Sequence, residues 1–93
     1  MIFINIQLTE SAKEKILNYN QNNSPVKVKV TGFSWCGAKI GVVSEKQENN
    51  DKVYNVDGAS IIVSEELEKE FSGLKIDYVS GWFKKDFEVI PQR

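Results

Sequence analysis

Residues Val26 to Val43 read VKVKVTGFSWCGAKIGVV, and no other run constrains the fold as strongly. Val26, Val28 and Val30 alternate with Lys27, Lys29 and Thr31. A period of two in β-branched residues is the pattern of a strand with one buried and one wet face. Gly32 interrupts it, Phe33, Ser34, Trp35 and Cys36 follow, and Gly37 closes the interval. Ala38, Ile40 and Val42 then restart alternation against Lys39 and Gly41. The pattern predicts two strands joined by a five-residue loop that carries Cys36 near its tip. Gly32 and Gly37 would supply backbone angles closed to other residues.

The flanking chain reads as alternating short elements. Ile2, Ile4 and Ile6 alternate with Phe3, Asn5 and Gln7, which suggests a strand within Met1 to Leu8. Thr9 suits a helix N-cap, and Glu10 would meet the positive helix end. Ala12, Ile16 and Leu17, with Tyr19 at the margin, form an apolar stripe on a helix of about three turns. Pro25 cannot continue that helix. Ser44 to Lys52 is charged and asparagine-bearing, with no apolar residue to pack. Asp57-Gly58 between Lys52–Val56 and Ala59–Val63 is a strong hairpin signal, because a type I′ turn needs positive φ at both positions. Ser64 reads as the cap of a short second helix with Glu65 and Glu66 in its first turn, Leu67 and Phe71 inward and Gly73 at its C-cap. Leu74, Ile76 and Tyr78 then alternate with Lys75, Asp77 and Val79. After a turn at Ser80-Gly81, a last strand spans Phe87 to Ile90 and ends at Pro91.

These elements predict a mainly β chain with two helices, an α+β fold in one domain over residues 1–93. Twelve Lys+Arg against thirteen Asp+Glu leave no electrostatic drive toward nucleic acid or membranes, so neither is expected as a partner. A single cysteine makes no internal disulfide, and there is no long apolar run, so a soluble cytoplasmic protein is expected. The absence of histidine removes the commonest general base and the commonest zinc ligand. A cysteine-protease type of hydrolase is thereby disfavoured.

The ordered elements resemble the HesB-like, or A-type iron–sulfur carrier, domain. The resemblance rests on LTESAKEKI (Leu8 to Ile16), on the strand leading into a glycine-rich loop with a cysteine, and on DGASIIVSEEL (Asp57 to Leu67). It extends through GLKIDYVSGWFKKDFEV (Gly73 to Val89), where Ile76-Asp77-Tyr78 is the sharpest piece. It implies a compact β-barrel or sandwich flanked by helices, non-enzymatic, with a role in iron–sulfur cluster assembly or delivery. Typical carriers hold iron or a cluster with three cysteines, and Cys36 matches the one in the glycine-rich loop. The Cys-Gly-Cys pair that supplies the other two has no counterpart here, and Ile90-Pro91 stands where carriers have Asn-Pro. The chain thus resembles a divergent branch.

Cys36 is the candidate ligand for iron or an iron–sulfur cluster. Such clusters take about four thiolate-type ligands. A symmetric homodimer would offer two, and glutathione, a partner protein or oxygen ligands the rest. Cys36 is also open to reading as a reactive thiol serving redox sensing, or as a small packed hydrophobe, as free cysteines often are. Lys39 would favour a Cys36 thiolate if the loop folded back, but lysine on a strand usually meets solvent. The segment Gly32 to Ile40 also mimics a phosphate loop, but its spacing is wrong and a strand follows where a helix is needed. Phe33 and Trp35 are expected to fill the core, as large aromatics usually do; outside it they would make the domain a protein-interaction module. Trp82 and Phe83 are adjacent, so a strand would expose one of them. Glu65, Glu66 and Glu68 are explained by the helix start, Asp57 by the turn, and Asp77 is expected to face water.

Overall fold

The computed structural model describes residues 4–35, 37–82 and 85–92. The chain runs β1 (Asn5–Leu8), α1 (Glu10–Gln21), β2 (Lys27–Ser34), β3 (Gly37–Val43), β4 (Lys52–Val56), β5 (Ala59–Val63), α2 (Glu65–Glu70), β6 (Gly73–Ser80) and β7 (Lys85–Gln92). One open sheet has the order β1-β6-β7, and the other β3-β2-β5-β4. Each is mixed: β1 lies parallel to β6 and β2 parallel to β5, while the remaining pairs are antiparallel hairpins. The expected mainly β, α+β architecture is therefore present.

Period-two patterning explains which side chains meet. Ile4 and Ile6, Val26 and Val28, Ile61 and Val63, and Leu74 and Ile76 all enter one buried cluster. Ala12 and Ile16 of α1 and Leu67 of α2 complete it. Helix α1 lies against β5 in one sheet and β6 in the other, so its apolar stripe joins the two. Polar contacts tie both of its ends. Thr9 caps the first turn by accepting from the Ala12 N–H, and its hydroxyl donates to Asp77 of β6 at 2.7 Å. Near the last turn Asn20 donates to the Ser60 carbonyl of β5 and accepts from the Ser60 N–H at 2.9 Å. The Asp57-Gly58 turn has φ of 52° and 88°, as the hairpin signal requires.

Several expectations fail for local reasons. The central hairpin has no five-residue loop: β2 continues through Gly32 to Ser34, and Ser34 pairs with Gly37. Gly32 marks a register shift after Val30, not the end of the strand, and of the two glycines only Gly37 takes a positive φ, 114°. Lys27 is no solvent-facing residue either, being 3% exposed. The loop after β3 supplies its counterion, so that loop is packed after all. Ser64 occupies the N-cap position of α2 but makes no side-chain cap bond. Phe71, in extended geometry, ends that helix, and Gly73 opens β6, where an added Cβ would meet the Asn5 carbonyl oxygen at 3.2 Å. Strand β7 passes through Pro91, which an edge strand tolerates.

Ile16 is fully buried where α1 joins the sheets. Ile16→Ala should lower the unfolding free energy by about 3 kcal/mol, measured by urea titration. A loss under about 1 kcal/mol would contradict this packing.

Candidate functional site at the β2–β3 hairpin

Strand β2 pairs with β5 only at Lys27 and Val28, so its outer half has β3 as its strand partner. Beyond the register shift, Thr31, Phe33, Trp35, Gly37, Ala38 and Lys39 are all exposed. This makes a two-stranded finger projecting past the core. Phe33 stands opposite Ala38, so the pleat puts both on one face, whereas Lys39 opposite Gly32 belongs to the other. Phe33 is 83% exposed and Trp35 105%. The expectation that one or both fill the core is overturned: beyond Val28, β2 has only β3 as strand partner among the described residues, and both side chains stand in solvent. Trp82, after β6, is 97% exposed, as one member of the Trp82/Phe83 pair was expected to be. Cys36 and Phe83 lie outside the described residues. Lys39 is exposed, as a strand lysine usually is, and the strand after Gly37 removes the phosphate-loop reading.

A second feature was hidden from sequence reasoning. A cleft of about 690 Å³ opens between β2, the loop before β4, and α2, lined by Lys27, Lys29, Glu48, Asp51, Ser64 and Lys69 among others. Its cations are paired. Lys27 Nζ is 2.7 Å from Asp51 and 3.7 Å from Glu48; Lys29 meets Glu45 at 2.7 Å and Lys69 meets Glu65 at 2.8 Å. Burial alone would raise the Asp51 pKa. The hydrogen bond from Lys27, the Glu48 N–H, the Lys27 charge and the Glu65 N–H outweigh burial and hold it below the ordinary 3.8. Its hydrogen bond to Asp51 raises the Lys27 pKa above the ordinary value despite desolvation. No local sequence signal marked this pair, because the alternation puts Lys27 on the solvent face of β2.

The other candidate carboxylates have structural partners. Glu68 accepts from the Tyr54 hydroxyl at 2.6 Å and meets Lys52 at 3.3 Å. Burial and then Glu68 raise the Tyr54 pKa. Asp77 does not simply face water: it accepts from Thr9 at 2.7 Å and Ser11 at 3.3 Å. The Thr9 bond is the main cause of its lowered pKa, against a smaller desolvation effect.

Among the described residues no three His, Cys, Asp or Glu side chains are placed to hold a metal ion. The sequence holds one cysteine and no histidine. One chain therefore does not furnish the ligand set of a resident iron–sulfur cluster. Among the described residues no helix is long and apolar enough to cross a membrane.

Two mixed sheets joined by α1 are the fold of HesB-like, A-type iron–sulfur carriers. The crystal structure of Escherichia coli SufA, involved in the biosynthesis of iron–sulfur clusters, is similar at 21% identity and a TM-score of 0.73, over 92% of this chain and 79% of that one. IscA crystallised with a 2Fe–2S cluster is similar at 16% identity and a TM-score of 0.71, over 92% of this chain and 84% of that one. A protein from Aquifex aeolicus solved by NMR has 18% identity and a TM-score of 0.67, over 97% of this chain and 94% of that one. No protein-family model matches the chain, and no match was found among curated proteins. The likeness is one of fold, and it covers nearly the whole chain.

Phe33→Ala and Trp35→Ala should each change stability by less than about 0.5 kcal/mol in thermal unfolding, since neither side chain packs on the core. A loss of about 2 kcal/mol would show that they are covered. Asp51→Ala should cost about 3 kcal/mol, because it leaves a buried ammonium without its partner. The stability that Asp51 contributes is full above its ordinary pKa of 3.8 and is lost as pH falls through the depressed folded value. An Asp51→Asn variant should lack that part of the acid dependence in urea titrations run across pH. An unchanged profile would contradict the ion pair.

Proposed function

We propose that this protein is a non-enzymatic domain of iron–sulfur cluster assembly that works through the end of its β2–β3 hairpin. The observation that carries the reading is the exposure of Phe33 and Trp35 on a projecting finger, in a chain with the A-type carrier fold. Trp35 immediately precedes Cys36 in sequence, so the thiol stands in the same segment as the apolar anchors. In this reading Phe33 and Trp35 dock the finger on a partner protein, aromatic side chains being the usual energetic anchors of such contacts. Cys36 supplies one thiolate to iron or a cluster passing between proteins, the remaining ligands coming from the partner, a second copy of the chain or a small thiol. The cluster is then cargo held jointly. The expected setting is the cytoplasm.

The exposed aromatics favour one other reading, an interaction module that kept the fold and carries no metal. Anaerobic incubation with iron and sulfide separates the two. The cargo reading predicts visible iron–sulfur absorbance in the wild type and its loss in Cys36→Ser, with Trp35→Ala retaining it. A colourless wild type, under conditions that load an intact A-type carrier, would leave only the interaction module.

A further inference from the structure

Strand β2 loses a neighbour partway along its length. The Val26 and Val28 carbonyls accept from the Ile62 and Ser64 N–H groups, so the even-numbered residues here turn their backbone groups toward β5. Alternation along an antiparallel pair leaves Lys27 and Lys29 to bond β3. After Val28 the β5 side is vacant, because the chain ends β5 at Val63 and enters α2. Val30 comes next on that side. The register shift takes up one extra residue, and Phe33, opposite Ala38 and one short of the closing pair Ser34–Gly37, follows it. Among the described residues neither Val30 nor Phe33 has a backbone partner on the vacant side. Apart from the register shift, Val30 to Ser34 carries none of the devices that blunt an open edge, neither a charge nor a proline. The cleft lined by Lys29, Val30, Ser64 and Glu66 opens beside this vacant position.

We propose that the open edge of β2 takes an extended segment of a partner protein as an added strand, along the line that β5 leaves. Two features define the occupant. Phe33 shares a face with Val30, since their opposites on β3, Ala38 and Ile40, are two residues apart. Every second side chain of the added strand falls on that face, beside an aromatic that is 83% exposed, and an apolar residue fits there. The alternate side chains fall toward the cleft. Its lysines, Lys27, Lys29 and Lys69, already hold carboxylates, while exposed Glu66 has no ion-pair partner among the described residues. The segment that fits therefore alternates apolar residues with lysine or arginine. Main-chain hydrogen bonds attach it and the two faces select it, as in other strand additions. This rests on the proposed docking of the finger on a partner and is independent of whether a cluster passes.

The test uses the full chain with a capped synthetic peptide alternating valine with lysine, and the same peptide with its central amides N-methylated. Saturable binding should slow hydrogen exchange of the Val30 and Phe33 amides and leave those of α1 unchanged. Methylation should weaken binding about tenfold or more, the worth of one or two backbone hydrogen bonds. Glu66→Gln should weaken it about threefold, as an exposed charge pair does. Equal binding of the methylated peptide, or binding that protects neither Val30 nor Phe33, would overturn strand addition and leave the finger docking by its rings alone. No binding at millimolar peptide would overturn it too. Unchanged affinity in Glu66→Gln would overturn the basic character assigned to the occupant. None of these results alters the iron and sulfide experiment, so the two readings fail separately.

Discussion

The structure depends on the way α1 joins two separate sheets. Both sheets send side chains into one buried cluster, and Ala12 and Ile16 enter it fully buried between β5 on one side and β6 on the other. Burying an isoleucine side chain stabilises by roughly 2–3 kcal/mol. The polar ties at Asp77 and Ser60 add direction to it, one for each sheet. They fasten the two ends of the helix, one to each sheet.

That arrangement leaves the far half of the β2–β3 hairpin outside the core. Strand β2 is held by β5 at its start, near α2, and runs away from it. The register shift after Val30 falls where the hairpin leaves the body, so the finger beyond it is shaped by its own two strands. Its aromatics, Phe33 and Trp35, are exposed. At the other end, charge takes the place of apolar packing. Lys27 points inward at a position the strand pattern reserves for solvent, and the loop before β4 folds back to neutralise it. The hairpin therefore has a fastened end and a free end. The chain's lone cysteine belongs in sequence to the free one.

Much of the fold was legible beforehand because period and turn chemistry are local. The Asp57-Gly58 hairpin, the Thr9 cap and the alternation of β6 follow from adjacent residues, and all are present. The failures occur where a distant residue decides. Lys27 cannot be read as buried without knowing that Asp51 returns to it. Ser64 looks like a working cap, yet its hydroxyl is buried and makes no cap bond. Gly73 looks like a helix stop, yet its lack of a side chain serves the close approach of β1. Of the site, the segment and its residue types were legible, while its shape was not. Phe33 and Trp35 are apolar enough for a core, and only the short pairing between β2 and β5 leaves them outside one.

The free end of the hairpin stands uncovered. The chain's tryptophans, Trp35 and Trp82, both stand in water in this structure, so acrylamide quenching of the native protein's fluorescence reads them directly. Quenching as efficient as in the urea-unfolded chain, with an unshifted emission maximum, is the predicted result. A blue-shifted emission with a fraction protected from acrylamide in the isolated protein would mean that the finger is folded away, and would contradict the account.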